Sequence, residues 1–473
     1  FLAPVMIQKD DIRTFIRDRR LYLVIRMTKK RHDKESSNEA KQVPYQYALM
    51  KIPYSKVPRF IELPSHEGKH YIMFIDDIIR ANLSSIFPGY DIDSCYNIKI
   101  SRDADIYLED ETSSSIVENI RKKLKKRKIG ALSRFMYDMS MPDDFLDFLC
   151  KAFNIAEEDL VKGGRYHNLQ DLAKLPNPRG KELERQVPSP MRVPFLDEMG
   201  SMFRAVKKQD VFLHFPYQSF DYLIRLLMEA AFDPKVDEIK ITQYRVAENS
   251  AVINTLVSAA QNGKKVTVFV ELKARFDEEN NIQWARELEE CGVHVLYGIV
   301  GYKTHCKTCL VVRKEDDGKL RRYAHLGTGN YNSKTAKFYT DISLFTANAE
   351  IASEVADLFN TLTGKVLNPE FKKLWVAPFC FHSKFIELVE REIAHAKAGK
   401  KARIIIKVNS VIEQSSIDAL YRASNAGVKI DMIVRGICGL VPGVKGMSEN
   451  ITVRSIVGVY LEHSRIYYFE NGG

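Results

Sequence analysis

The stretch that decides the fold runs from residue 298 to residue 341 and reads GIVGYKTHCKTCLVVRKEDDGKLRRYAHLGTGNYNSKTAKFYTD. Alternating apolar residues after Lys307 predict a strand, and the turn residues at 316–318 predict a hairpin that leads into a second strand. His305 lies directly before the first strand, on the same face as Lys307. The small residues of 327–332 leave backbone N–H groups open to an anion. The stretch therefore predicts a phosphate-binding site around one histidine.

Further basic residues of the stretch are Lys303, Arg321, Arg322, Lys334 and Lys337. A single histidine beside a lysine at the start of a strand is more often a solvated edge feature than a site. A second occurrence of the pattern changes this balance. Residues 461–470 read LEHSRIYYFE, with His463, a cation at Arg465 and a hydrophobic strand after it. We therefore predict two half-sites of one design.

Two predicted strands precede each histidine at similar distances. The strands of the first half end at Arg245 and Arg275, and those of the second half end at Asn409 and Arg435. The nearer strand ends 30 residues before the first histidine and 28 residues before the second. In open α/β sheets, ligands bind beyond the carboxyl ends of the parallel strands. We expect Arg245 and Arg275 to lie at such a ligand site.

The length of 473 residues, with 45% hydrophobic and 28% charged residues, suits about three globular domains. We predict an α+β head domain over residues 1–190, followed by two α/β domains over 191–366 and 367–473. In both α/β domains, strands alternate with helices, which predicts mainly parallel sheets with helices on both faces. A basic amphipathic helix is predicted over 116–128.

Composition limits the class of protein. The net charge of +10 favours a polyanionic partner. No apolar run approaches the ~20 residues that a membrane helix needs, so we expect a cytoplasmic protein without a transmembrane segment. Seven scattered cysteines argue against a disulfide framework. Cys306 and Cys309 have CxxC spacing, but they lie along a predicted strand, which argues against redox or zinc chemistry.

The chain resembles a known family through several segments in one order: ITQYR, VELKARFDEENNI, GYKTHCK, YAHLGTGNYN, ALYRASNAGVKIDMIVRGIC and YLEHSRIYYFENGG. They are similar to those of bacterial polyphosphate kinases of the type related to phospholipase D. The resemblance is dense from about residue 210 to the end and weaker upstream. It implies two repeated phospholipase D-like α/β domains after the head domain. Because the family's N-terminal helical domain and final tail have no counterpart, we expect a fragment.

The resemblance also implies roles for individual residues. His305 corresponds to the phosphorylated nucleophile, and His463 to a second histidine that contacts the nucleotide and transfers a proton. The remaining positions that the resemblance and the local chemistry indicate are Tyr339 and Arg435 for ATP, Arg245 and Arg275 for the magnesium–phosphate complex, and Lys303, Lys307, Arg322, Asn330 and Arg465 for phosphate or polyphosphate. Since arginine offers only donors, we interpret Arg245 and Arg275 as clamps on phosphate oxygens that hold Mg²⁺.

Elementary electrostatics supports this division of roles. Phosphoryl transfer depends mainly on positioning and charge neutralisation. Cations at ~6 Å in an effective dielectric near 20 favour neutral His305, the nucleophilic form, by up to about 3 kcal/mol. We expect a carboxylate, Glu462 or Glu470, to stabilise protonated His463 as the acid. The hypothesis is a reversible transfer of phosphate between ATP and polyphosphate through phosphohistidine.

Two alternatives stay open. One is a phosphodiesterase or phosphatidyl transferase of the phospholipase D type. Those enzymes carry an Asp after HxK and four residues, whereas Val312 and Glu470 stand at those positions here, and Arg465 replaces the second lysine. The other is an inactive polyanion-binding module. For the main hypothesis we expect polyphosphate and ATP or ADP as ligands, Mg²⁺ as cofactor, no specific nucleic acid, a homo-oligomer, and peripheral membrane association as an option.

Overall fold

The computed structural model describes residues 2–7, 16–18, 20–30, 44–54, 56–102, 132–244, 250–271, 278–298, 302–366 and 369–473. The helix predicted over 116–128 lies outside these residues, as do Arg245 and Arg275. Contacts divide the chain into two compact units, Phe1–Gln186 and Val187–Gly473. This boundary lies close to the limit predicted at residue 190. The further division of the second unit into two domains at 366 stays a prediction.

The first unit is an α+β structure. Its elements are β1 Pro4–Met6, β2 Leu21–Lys29, β3 Gln46–Lys51, β4 Phe60–His66, β5 Lys69–Phe74, α1 Ile75–Ala81, α2 Leu83–Ile86, β6 Tyr90–Arg102, β7 Leu132–Asp138, α3 Asp143–Phe153 and β8 Leu160–Gly163, with 3₁₀ turns at Glu157–Asp159, Leu169–Lys174 and Gly180–Leu183. Six strands form one sheet in the order β1-β3-β2-β6-β7-β8, and β4 pairs with β5. Strand β2 is buried on both faces because α3 packs over one face and α1 over the other.

The second unit carries the two predicted half-sites. Its elements are α4 Pro194–Met199, α5 Met202–Lys208, β9 Val211–Phe215, α6 Asp221–Phe232, β10 Val236–Gln243, α7 Ala251–Gln261, β11 Lys265–Val270, α8 Glu278–Glu290, β12 His294–Tyr297, β13 Lys307–Lys314, β14 Leu320–Gly327, a 3₁₀ turn Thr335–Lys337, β15 Tyr339–Thr346, α9 Ala349–Leu362, α10 Phe381–Lys397, β16 Arg403–Val408, α11 Gln414–Asn425, β17 Lys429–Val434, β18 Ile451–Arg454, β19 Leu461–Glu462 and β20 Ile466–Phe469.

Helix α7 illustrates why these segments fold locally as they do. The Ser250 side chain accepts a hydrogen bond from the Ile253 N–H and so caps the first turn. The buried residues Val252, Ile253, Leu256 and Ala259 form one apolar stripe that faces the sheet. Beyond the last turn, Gly263 adopts φ +79°, which favours glycine and lets the chain turn into β11.

The two halves of the second unit repeat one topology. The larger sheet has the order β12-β11-β10-β13-β14-β15-β19, with β9 also paired with β15, and the smaller sheet has the order β18-β17-β16-β20. In each half the first three strands of this order are parallel, and the fourth is antiparallel. Both histidines precede that fourth strand. The α/β class and the internal repeat are thus confirmed.

The larger sheet is mixed, so the expectation of mainly parallel sheets describes the βαβ strands and not the whole sheet. After His305 the chain forms the predicted hairpin of β13 and β14, with Gly318 at φ +77° in the turn. A tight turn can join antiparallel strands only, because parallel strands need a long crossover. Strands β14 and β15 extend the sheet in the same antiparallel manner.

A short parallel ladder joins the two halves. Strand β19 pairs with β15 of the first half through Tyr339 opposite Leu461 and Thr340 opposite Glu462. Four residues after β19 the chain enters β20, which belongs to the second sheet. His463 therefore lies where the chain passes from one sheet to the other.

Candidate active site

His305 lies at the end of the loop that leads into β13. Its ring meets the ring of Tyr244 edge-on, with centroids 4.7 Å apart and an interplanar angle of 79°. The ammonium groups of Lys307 and Lys303 lie over the Tyr244 ring, with Nζ 5.1 Å and 5.8 Å from its centroid. Lys307 Nζ also donates to the backbone carbonyl of His305. Tyr244 therefore orders the cations beside the histidine, a role that the sequence interpretation missed.

The surroundings keep His305 neutral. Loss of water around the ring is the largest cause that lowers the pKa of His305 to about 3, and the charges of Lys307, Arg465, His463 and Lys303 act in the same direction. The residue still has an exposed edge, through which a phosphate could reach it. His463 and Arg465 come from the second half of the unit, 158 and 160 positions away. The predicted convergence of the two half-motifs is therefore seen in the charges that act on His305.

His463 has a different environment. Its side chain is buried, and Nδ1 lies 2.7 Å from Asp341 Oδ1. The backbone N–H of His463 donates to Thr340 Oγ1 at 3.2 Å. The ring of Tyr339 lies 5.1 Å from the imidazole, centroid to centroid. Three consecutive residues of β15 thus surround the second histidine.

The glycine loop, residues 327–332, encloses the carboxylate of Asp341. Thr328 Oγ1 donates to Asp341 Oδ1 at 2.7 Å. A Cβ on Gly329 would lie 2.6 Å from Asp341 Cγ, so the loop can approach the carboxylate this closely only with glycine. The N–H groups of Thr328 and Asn332 donate to carbonyl groups of the protein. The loop predicted to receive an anion therefore holds a protein carboxylate.

The carboxylate partner of His463 was wrongly expected to be Glu462 or Glu470. Successive side chains of an extended segment point to opposite faces, so the Glu462 carboxylate points away from the imidazole of His463. Glu470 accepts a hydrogen bond from Tyr468 at 3.0 Å. The sequence did contain a signal for Asp341, because it follows Tyr339 by two positions in a strand and so shares its face.

Glu462 belongs to a separate polar group beneath the histidine. Its Oε2 lies 2.8 Å from Lys407 Nζ and accepts from Thr340 Oγ1 at 2.9 Å. Burial alone would raise the pKa of Glu462, but the hydrogen bonds from Lys407 and Thr340 outweigh it and lower the pKa. Glu462 therefore stays charged and ties β19 to both sheets.

Two arginines hold the backbone around His463. Arg465 Nη1 donates to the carbonyl of His463 at 3.2 Å, and Arg435 Nη1 donates to the carbonyl of Glu462 at 3.1 Å. Partial burial is the main cause that lowers the pKa of Arg465. Both predicted arginines are thus brought to the second histidine.

Arg322 is not brought to His305. In the β13–β14 pair Arg322 lies opposite Val312, whereas Gly327 lies opposite Lys307. Five strand positions correspond to about 17 Å, so the hairpin carries Arg322 to the far end. Asn330 lies in the glycine loop, and its enclosed Oδ1 has no hydrogen-bond partner in the part of the chain that the structure describes.

The thiols of Cys306 and Cys309, which follow the first histidine in sequence, are made unreactive by burial. Burial raises the pKa of Cys306 to about 11 and that of Cys309 to about 12. Within the described ranges, no group of three or more His, Cys, Asp or Glu side chains could hold a metal ion. The same ranges contain no helix with the length and apolar character needed to cross a bilayer.

Three family descriptions match the chain in order. They are the polyphosphate kinase middle domain over residues 1–175, the polyphosphate kinase C-terminal domain 1 over 201–368 and the polyphosphate kinase C-terminal domain 2 over 374–473. The chain belongs to the polyphosphate kinase family. The resemblance noted in the sequence is thereby confirmed.

Individual polyphosphate kinases match along the whole chain. The protein of Vibrio cholerae is 43% identical over 479 residues, which are 100% of this chain and 66% of that protein. The Escherichia coli K12 protein is 41% identical over 481 residues and is covered to 68%. The crystal structure of the Porphyromonas gingivalis polyphosphate kinase is 42% identical with a TM-score of 0.83, and the match covers 100% of this chain and 68% of that one. The chain thus spans about two thirds of these polyphosphate kinases.

Proposed function

We propose that this chain transfers the terminal phosphate of ATP to inorganic polyphosphate through a phosphohistidine at His305, and runs the reverse reaction to make ATP from ADP. The observation that carries the proposal is the pairing of unlike histidines in one cationic site. His305 is neutral and exposed, with its pKa lowered to about 3. His463 is buried against Asp341.

The first step uses His305 as nucleophile. A ring nitrogen of the neutral imidazole donates its lone pair to the terminal phosphorus of ATP, a P–N bond forms, and the P–O bond to ADP breaks with its electrons on ADP. Lys303, Lys307 and Arg465, whose charges act on His305, would neutralise charge on the transferred group, which is the main requirement of phosphoryl transfer.

The second step returns the phosphate to a chain. A terminal oxygen of polyphosphate attacks the phosphohistidine, the P–N bond breaks, and His305 recovers its lone pair. Asp341 accepts the Nδ1–H of His463, which fixes the tautomer and leaves Nε2 to give or take a proton at a phosphate oxygen.

The remaining ligand contacts are part of this proposal. Tyr339, Arg435 and His463 would contact the nucleotide, since all three meet around β19. Asn330 and the cations would contact phosphate, whereas the position of Arg322 does not support a direct contact. Arg245 and Arg275 keep their predicted role as phosphate clamps. The cytoplasmic location, the homo-oligomer and peripheral membrane association stay predictions from the sequence.

The described residues do not form a carboxylate cage for Mg²⁺. The carboxylates beside the histidines, Glu271, Asp341 and Glu462, are engaged with protein partners. Mg²⁺ commonly binds through nucleotide phosphates and water with few protein ligands. Such an ion would neutralise phosphate charge when bound, and the roles assigned to His305 and His463 do not depend on it.

The decisive experiment is labelling with ATP that carries a radioactive terminal phosphate. The chain should acquire a label that survives base and is lost in acid, and His305→Ala should abolish it. His294→Ala, which removes an exposed histidine of β12, is the matched control and should label normally. Retention of the acid-labile label by His305→Ala would refute the assignment.

A further inference from the structure

Two side chains hold backbone groups of the residues on either side of His305. Glu271 Oε2 accepts the backbone N–H of Thr304 at 2.6 Å. Thr242 Oγ1 donates to the carbonyl of Cys306 at 2.9 Å. The backbone is therefore held one residue before and one residue after the histidine.

The second half also holds the residues before and after its histidine. Arg435 donates to the carbonyl of Glu462, one residue before His463. Lys407 Nζ donates to the carbonyl of Ser464, one residue after it, at 3.4 Å, and also to the Ser464 hydroxyl. The cation two positions after each histidine folds back onto the carbonyl of that histidine in both halves.

The holding residues occupy equivalent places in the repeat. Thr242 and Lys407 are the last but one residues of β10 and β16. Glu271 and Arg435 directly follow β11 and β17. The sheets share their strand order, so each pair reaches its histidine from the same direction. Different side chains hold the residue before each histidine, Glu271 at an N–H group and Arg435 at a carbonyl group, which indicates that the hold itself matters.

We propose that Glu271 and Thr242 are positioning residues for the nucleophile, an inference that rests on the proposed phosphohistidine at His305. With the backbone held at Thr304 and Cys306, the segment that carries His305 has little freedom to move, and Tyr244 packs against the ring itself. A misplacement of about 1 Å costs on the order of 10²-fold in rate when a reaction depends on alignment.

Burial supports a specific task for Glu271. The residue is 1% exposed. A buried carboxylate destabilises the fold unless it has hydrogen-bond partners. The burial of Glu271 next to the nucleophile therefore indicates a specific role. Thr242 also accepts the N–H of Thr308 at 3.1 Å, which ties the start of β13 to β10. Together the two residues fix both the loop and the strand that flank His305.

The test is single-turnover labelling of His305 at saturating ATP, with the ATP dependence measured in parallel. Thr242→Val and Glu271→Ala should slow labelling by about 10²-fold, while the ATP concentration at half-maximal rate stays within about threefold. Thr242→Ser and Glu271→Gln restore a hydroxyl and an acceptor oxygen and should recover most of the rate. A merely structural role would not produce this split and rescue.

Glu315→Gln is the matched control. Glu315 is a buried carboxylate at the far end of the same hairpin, where it contacts Arg313 and Tyr323. The substitution should lower thermal stability and leave the labelling rate of the folded protein unchanged. If Glu271→Ala does not fold, the isosteric Thr242→Val and its serine rescue decide the question.

The outcomes separate two failures. If wild type labels, and Thr242→Val and Glu271→Ala both label at the wild-type rate, the positioning role is refuted while the proposed function stands. If wild type itself acquires no acid-labile label, the proposed function fails and the positioning role falls with it.

Discussion

His305 and His463 precede equivalent strands, β13 and β20, yet their rings meet different surroundings. His305 is exposed, and no side chain among the described residues hydrogen-bonds to its ring. His463 is 8% exposed, and Asp341 accepts its Nδ1–H. The shared sheet topology therefore places a histidine, and the contacts of its ring decide what that histidine does.

The decisive contacts cross between the halves. Asp341 belongs to β15 of the first half and orients the histidine of the second half. Arg465, in the second half, contributes to the low pKa of the first histidine. Neither half carries a complete site, because each supplies part of the environment of the other's imidazole.

The largest expected effect separates the two histidines. His463→Ala should lower steady-state turnover by about 10² to 10⁴-fold, the usual contribution of a general acid or base, while slow labelling of His305 persists. His305→Ala should eliminate both. The measurement is ATP consumption with polyphosphate, combined with acid-labile labelling. Equal loss of label in the two variants would show that the roles are not divided as proposed.

A smaller effect is expected from Asp341, the carboxylate that hydrogen-bonds to His463. Asp341→Asn keeps an acceptor but removes the charge, and Gly329→Ala forces the glycine loop away from the carboxylate. Each should lower turnover by about 10- to 10²-fold, the range observed when a supporting hydrogen bond to a functional histidine is lost.

Gly164→Ala is the control for the glycine substitution, because a Cβ at Gly164 would meet no atom within 4 Å. It should leave turnover unchanged. Normal turnover in Asp341→Asn would mean that the orientation of His463 does not limit the reaction.

The smallest effect concerns pH. Partial loss of water around the ring and nearby cations lower the pKa of His305 to about 3, so wild-type His305 stays neutral through mildly acidic pH. Lys307→Met removes a charge that repels the imidazolium, so the pKa should rise toward its usual value. The ratio of labelling rates at about pH 4.5 and pH 7.5 should then fall by up to about twofold relative to wild type, because loss of water around the ring, the larger cause, still holds the pKa low.

Nucleotide protonation affects all variants alike and cancels in this comparison. Lys334→Met removes an exposed lysine of the loop before β15 and should keep the wild-type ratio. If Lys307→Met also keeps it, the lysine does not set the protonation state of His305.

Local patterns predicted much of this architecture. The hairpin after His305, the βαβ strands and the repeat follow from apolar alternation, turn residues and spacing. The far position of Arg322 also followed from the hairpin, since a turn at 316–318 pairs Arg322 with Val312. Nearness in sequence to His305 therefore does not bring every basic residue of the stretch near it in space.

The partner of His463 is a different case. Asp341 and His463 are 122 positions apart and meet because β19 pairs with β15 in one register. The shared strand face of Tyr339 and Asp341 was a local signal, but the register between distant strands depends on how whole sheets pack, so the pairing with β19 could not be predicted. Glu271 and Thr242 were missed for the same reason, because their contacts with 304 and 306 arise from strand ends that converge.

The ladder between β15 and β19 has just two residue pairs. If the two sheets drew apart, these pairs and the Asp341–His463 contact would be the first to break, while the Glu271 and Thr242 contacts lie wholly within one sheet and would survive. Separation of the sheets would therefore leave His305 aligned for attack, while His463, the proton donor, would lose its orientation. Proton transfer by His463 would therefore be lost before nucleophilic attack by His305.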